Sequence, residues 1–290
     1  MESIQSKALK LFARLAKINK IWTLEGADLQ AAIAQKQKKL ATPSKKMTED
    51  FLVYYDTSLS FPFYKISQKQ KASQKSLIYL AGGGFVLPMS ELHWSYIENI
   101  MRSLDIEIYV PIYPLAPEFS FEDMSEFLVD FYRNLDVDFS NLTIMGDSAG
   151  GTLALSLAQS IQKRNLKNPK QIIAISPLVR FDFSNPQIQI AQKSDFISAS
   201  KALGQIGEWV ATGSSLNDPL ISPYYGNFKD TSPIHIFSGT ADITNPDTRT
   251  MVEQNPTDFN YYEYDKMPHI FPLFPLPEGK SASNIIKSLL

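Results

Sequence analysis

Residues 142–155, LTIMGDSAGGTLAL, constrain this chain more than any other stretch. A branched apolar run, LTIM, enters a glycine-flanked turn, and a helix-compatible run, GTLALSLAQSI, leaves it. A strand feeding a helix through so sharp a turn holds its central residue, Ser148, in strained backbone geometry. Gly146 and Gly150 remove side chains that would collide with the neighbouring strand and helix. The helix start, beginning with Ala149, presents unpaired N–H groups and a positive dipole end to a developing oxyanion. The pattern therefore predicts Ser148 as a nucleophile.

The rest of the chain supplies a setting for such a turn. FLVYYD (51–56), PFYKIS (62–67), SLIYLA (76–81), IEIYVPIY (106–113), LTIMGD (142–147), QIIAISPL (171–178), PIHIFSG (233–239) and FNYYEYD (259–265) read as strands. Helical stretches alternate with them at 90–104, 121–135, 149–164, 246–254 and 281–290. This rhythm predicts an α/β fold: a mostly parallel eight-stranded sheet with helices on both faces. Residues 181–231 carry no convincing strand and include a helix near 200–211, which suits a lid inserted over the ligand crevice. Residues 1–50 form a separate N-terminal helical segment, with 51–290 as the main domain. That segment carries +5, leaving −7 for the remainder. Ile4, Leu9, Leu11, Phe12, Leu15, Ile18 and Trp22 recur at helical spacing, with Lys7, Lys10, Arg14 and Lys17 opposite. The favoured reading is a cap helix whose apolar face covers the site; contact with an anionic membrane surface is the alternative.

Composition excludes several classes. There is no cysteine, which removes disulfides, thiolate nucleophiles and cysteine-ligated metal centres. A net charge of −2 argues against a nucleic-acid protein. No stretch approaches the ~20 apolar residues of a membrane span, and the N-terminus lacks the uninterrupted apolar core of a signal peptide. The expected location is cytoplasmic.

A serine nucleophile needs a base, and the chain has three histidines. His235 lies within an apolar strand and reads as a core imidazole. His93 precedes Ser148, whereas His269 follows the last strand, where this order of elements places the base. Asp242, after the penultimate strand, is the expected orienting acid, with Asp247 as its rival. Asp147 is expected to support the turn, and Glu118 to make a structural hydrogen bond at a strand exit. Gly82-Gly83-Gly84 matches neither phosphate-binding glycine pattern. Its place after a strand predicts an oxyanion loop, with the N–H groups of Gly82, Gly83 and Ala149 converging on the tetrahedral oxygen.

Together these stations resemble the hormone-sensitive-lipase-like branch of the α/β-hydrolases. AGGGF (81–85), YPLAPE (113–118), GDSAG (146–150) and the Asp242 and His269 loops occur in that family's order and span residues 76–271. The resemblance implies carboxylic ester hydrolysis on small or short-acyl esters, no metal or organic cofactor, and a helical cap built from residues 1–50 and the 181–231 insertion. Ala81 stands where the family has a histidine, and Ile112 and Pro114 where it has an aspartate and an arginine, so the steadying of the oxyanion loop must come from elsewhere. Phe85, His93, Trp94, Ile270 and Phe271 are the candidate pocket residues. An amidase, peptidase or deacetylase on the same three side chains and a non-catalytic binding protein are the alternatives. A homodimer is left open.

Overall fold

The computed structural model describes residues 2–16, 18–70 and 72–290; Lys17 of the basic helix face lies outside them. Eight strands form one sheet: β1 (Leu52–Asp56), β2 (Phe63–Ser67), β3 (Ser76–Leu80), β4 (Glu107–Pro111), β5 (Leu142–Asp147), β6 (Gln171–Ile175), β7 (Ile234–Gly239) and β8 (Phe259–Tyr264). Their spatial order is β1-β2-β4-β3-β5-β6-β7-β8. β1 and β4 run antiparallel to β2, and every other pairing is parallel. All residues of β3, β5, β6 and β7 are buried. Parallel strands covered on both faces read as continuous apolar runs for that reason.

Alternate strand residues feed two apolar layers, following the period of two along a strand. Ile78, Leu80, Ile144 and Ile236 face one layer with α5 (Phe121–Arg133), α6 (Ala149–Lys163) and α9 (Asn245–Gln254). Leu77, Tyr79, Met145 and Phe237 face the other with α4 (Glu91–Ser103) and α10 (Pro277–Leu289). α10 starts a turn earlier than its sequence periodicity indicates, because Pro277 sits at the first helical position, where a missing N–H costs nothing. α2 (Gly26–Gln37) is followed by a short helix, α3 (Lys45–Asp50), capped by Ser44, whose hydroxyl accepts the Met47 N–H at 3.0 Å.

The 181–231 stretch carries α7 (Gln187–Gln192) and α8 (Ser200–Val210) and no strand among the described residues. It meets the N-terminal segment directly. Gln205 Oε1 accepts the Gly26 N–H at 2.9 Å, and Lys201 pairs with Glu25 at 2.5 Å.

The first helix, α1 (Ile4–Leu15), departs from expectation. Its buried residues are Ser6 and Ala13, while Ile4, Leu11, Phe12 and Leu15 are 82%, 62%, 66% and 76% exposed. The apolar face therefore points away from the body and does not cover the site. Polar anchors hold the helix in this orientation. Glu278 accepts the Ser3 N–H at 2.6 Å and the hydroxyls of Ser3 and Ser6 at 2.9 and 2.7 Å. Partial burial of Glu278 raises its pKa, but these donors outweigh that effect and bring it down to about 2.

Candidate active site

The turn between β5 and α6 carries Ser148 at φ 53°, ψ −123°, a conformation an L-residue rarely adopts. The flanking glycines are required by close approach. A Cβ on Gly150 would lie 1.9 Å from the Leu80 carbonyl oxygen, and one on Gly146 would lie 2.2 Å from that of Gly150. Crowding of main chain against main chain leaves no side chain room to move.

Ser148 Oγ lies 2.8 Å from His269 Nε2, and His269 Nδ1 lies 2.9 Å from Asp242 Oδ2. The other carboxylate oxygen of Asp242 accepts the Thr244 N–H at 2.9 Å, which fixes its plane. His269 and Asp242 are buried. Burial alone would lower the His269 pKa, but the charge and hydrogen bond of Asp242, aided by Asp195 and Asp147, raise it above 6.5. Asp247, the rival acid, instead accepts a hydrogen bond from Asn185 Nδ2 at 3.0 Å. Burial raises its pKa. His235 is a buried imidazole stacked beside Tyr262, as its place in β7 led us to expect.

Asp147 is fully buried and points away from His269 Nδ1. Its oxygens accept the Tyr79 hydroxyl at 2.6 Å and the His93 Nε2–H at 3.3 Å. His93 Nδ1 accepts the Ser90 N–H at 3.0 Å, and that bond assigns the Nε2–H tautomer. Burial pushes the Asp147 pKa up. The hydrogen bonds from His93 and Tyr79 and the Gly82 N–H outweigh it and leave the pKa lowered.

The Gly82 N–H engages the Asp147 carboxylate. A Cβ on Gly82 would lie 2.4 Å from Asp147 Oδ2, so this glycine is packed against the carboxylate, and the pocket beside Ser148 is lined by Gly83 and Gly84. Gly82, Gly83 and Gly84 form the loop beside Ser148. It is steadied by groups that sequence inspection did not identify. The Tyr113 hydroxyl donates to the Ala81 carbonyl at 2.6 Å, and Gln37 Nε2 of α2 donates to the carbonyls of Val86 and Ala116, both at 2.8 Å. Glu118, by contrast, is exposed and makes no hydrogen bond or ion pair among the described residues, which corrects its expected structural role.

Of the candidate pocket residues, His93 and Ile270 line the cavity at Ser148. The other three are packing residues. Phe85 lies against Phe121 and Phe181, Trp94 donates its indole N–H to the Ala41 carbonyl at 2.9 Å, and Phe271 packs on Tyr264. Other walls come from Trp22 of the N-terminal segment, from Ser90 and Leu92, and from Ile197, Ser198 and Leu203 of the insertion. The cavity measures about 160 Å³.

Asp195 was also not anticipated. Its Oδ1 accepts the N–H groups of Ile197 and Ser198 at 2.8 and 2.9 Å, and its Oδ2 accepts that of Ile243 at 3.0 Å. It thus joins the insertion to the loop that carries Asp242. Burial first, and then the Asp242 charge, push its pKa up to about 6. The Asp-x-x-Ser pattern at 195–198, a local turn signal, was the available clue.

These shifts define a pH prediction. His269 can accept a proton only when neutral, and its pKa lies above 6.5, so kcat/KM is expected to rise with pH to an inflection above that value. Asp195→Asn removes a charge that favours the imidazolium and should move the inflection down. An unmoved or raised inflection in the pH–rate profile would show that Asp195 does not act on His269. Stability changes in the opposite direction. The attraction of imidazolium to Asp242 is fully present below the unfolded pKa of 6.5 and is lost as pH rises through the folded value.

A family model described as alpha/beta hydrolase fold matches residues 77–273, and the chain belongs to that family. It is accordingly a hydrolase of the esterase type. It is 26% identical over 224 residues to an esterase of Acinetobacter venetianus, with 74% of each chain covered. To the ethyl acetate hydrolase of Pseudomonas putida it is 26% identical over 165 residues, covering 54% of this chain and 52% of the other. An esterase/lipase from an uncultured bacterium shares the fold with a TM-score of 0.85 at 23% identity, over 99% of this chain and 97% of that one. An esterase from the bacterial hormone-sensitive lipase family does so with a TM-score of 0.81 at 23% identity, over 97% and 96% of the two chains.

Proposed function

We propose that this protein hydrolyses small or short-acyl carboxylic esters through an acyl-enzyme formed on Ser148. The observation that carries the reading is the unbroken chain Ser148 Oγ–His269 Nε2 at 2.8 Å and His269 Nδ1–Asp242 at 2.9 Å, at the wall of a cavity. His269 removes the Ser148 proton as Oγ attacks the ester carbonyl. Asp242 holds the ring with Nδ1–H toward itself and stabilises the imidazolium. The N–H groups of Gly83, Gly84 and Ala149 take the developing oxyanion; loss of one such donor costs roughly 10²–10³ in turnover. His269 then protonates the leaving alcohol, and water deprotonated by the same ring releases the acid. Trp22 of the N-terminal segment, whose first helix stays clear of the site, and the 181–231 insertion together act as the cap over this centre.

Cavity size supports a small acyl group. A cavity of about 150 Å³ accommodates a benzene-sized molecule, and the space at Ser148 is about 160 Å³. The names ethyl acetate hydrolase and acetyl-hydrolase among the relatives point to the same substrate size. Nitrophenyl esters of increasing acyl length, assayed beside matching anilides, provide the test. Acetate and butyrate should exceed octanoate by about tenfold or more, since the longer chain must displace packed side chains. Preference for octanoate, or faster turnover of the anilides, would overturn the assignment.

A further inference from the structure

The outward apolar face of α1 covers nothing in this chain. Ile4, Ala8, Leu11, Phe12 and Leu15 fall at i, i+4, i+7, i+8 and i+11 and form one exposed stripe opposite the buried Ser6 and Ala13. Residues 3–24 contain five basic side chains and no acidic one. Lys7, Arg14 and Lys20 are exposed on the described part of that segment, Arg14 with one long hydrogen bond to the Lys193 carbonyl at 3.4 Å, whereas Lys10 is held by Glu2 and the Lys266 carbonyl. Exposed apolar surface of this extent is unfavourable in water and favours burial against another surface. Its fixed outward orientation, imposed by the Glu278 anchor, points to a surface outside the molecule.

We infer that α1 docks on an anionic lipid bilayer surface, its apolar stripe in the headgroup–acyl boundary and its cations against lipid phosphates. Charge selects this occupant. A stripe flanked by cations alone repels a second copy of itself but matches a negative surface. The position of the helix supplies a second reason. Beyond α1, Ile18 and Ile21 line a groove of about 770 Å³ that is largely apolar, with Lys20, Lys36, Lys39 and Glu91 along it. That groove shares Trp22 and Ser90 with the Ser148 cavity. A docked α1 therefore sets an apolar route from the bilayer toward the nucleophile, and the substrates it would admit are short-acyl esters of membrane-dissolved alcohols.

Co-sedimentation of the full chain with vesicles of phosphatidylglycerol and phosphatidylcholine, against phosphatidylcholine alone, tests the docking independently of ester specificity. Binding is expected to the anionic vesicles, weakened by added salt, and reduced ~10-fold or more in Leu11→Asp/Phe12→Asp/Leu15→Asp. Lys7→Glu/Arg14→Glu should weaken binding with the apolar stripe intact. Both variants change exposed residues outside the Ser148 cavity, so turnover of a water-soluble nitrophenyl ester should match the wild type and report an intact fold. Failure to bind anionic vesicles, or undiminished binding by the triple variant, overturns the inference. So does a dimer that becomes a monomer in the triple variant without vesicle binding, since a second copy would then own the face.

Discussion

Ser148→Ala is expected to lower ester turnover by roughly 10⁴- to 10⁶-fold, because nucleophile and base act as a unit and neither works alone. The variant should fold normally: it loses one oxygen from a side chain bonded to His269 and keeps the same strained backbone. Ser148→Gly separates chemistry from strain. At φ 53°, ψ −123°, an L-residue stores about 1–3 kcal/mol that glycine does not. Glycine loses ~0.5–1 kcal/mol through the entropy of its unfolded chain. The net expectation is an inactive protein more stable than Ser148→Ala by about 1 kcal/mol, visible as a thermal midpoint ~2–4 °C higher. Full turnover in Ser148→Ala would remove the proposed mechanism. A glycine variant less stable than the alanine one would show that the elbow is not strained.

Asp242→Asn should cost about 10⁴ in kcat, by analogy with the same exchange in the serine-protease triad that is the worked case for this effect. An amide at this position presents an N–H to His269 Nδ1, turns the ring to the wrong tautomer and leaves the imidazolium without a counter-charge. Asp247→Asn should cost less than about tenfold, since Asp247 serves Asn185 and not the imidazole. Steady-state kinetics on both variants with one short-acyl ester distinguishes them, and a larger loss at Asp247 would reverse the assignment.

The two aspartates illustrate how far sequence reaches. Both follow β7 within one short loop, and chain order cannot separate them. The structure does so because Asp242 lies at the sheet edge facing the His269 loop, whereas Asp247 lies in the first turn of α9, turned toward the insertion. Gly82 shows the same limit. A run of glycines marks a loop that needs close backbone approach, but not which glycine packs against Asp147 and which N–H groups remain facing the cavity. α1 shows it most plainly. Its periodicity is a property of the chain, and the surface that receives the stripe is not. Trp94 and Phe85 adjoin the oxyanion loop in sequence, which suggests a pocket role, yet Phe85 packs in one apolar layer and Trp94 in the other.

Local chemistry encoded the strands, the strained turn at Ser148, the glycines around it and the candidacy of His269, since apolar runs, breakers and steric freedom act over a few residues. Which carboxylate meets the imidazole, which amides face the cavity, how Trp22 and Leu203 close over it and where α1 turns its apolar side were decided by tertiary structure. Those outcomes depend on contacts between segments up to hundreds of residues apart, and burial and hydrogen-bond geometry at such contacts are set by the packed whole.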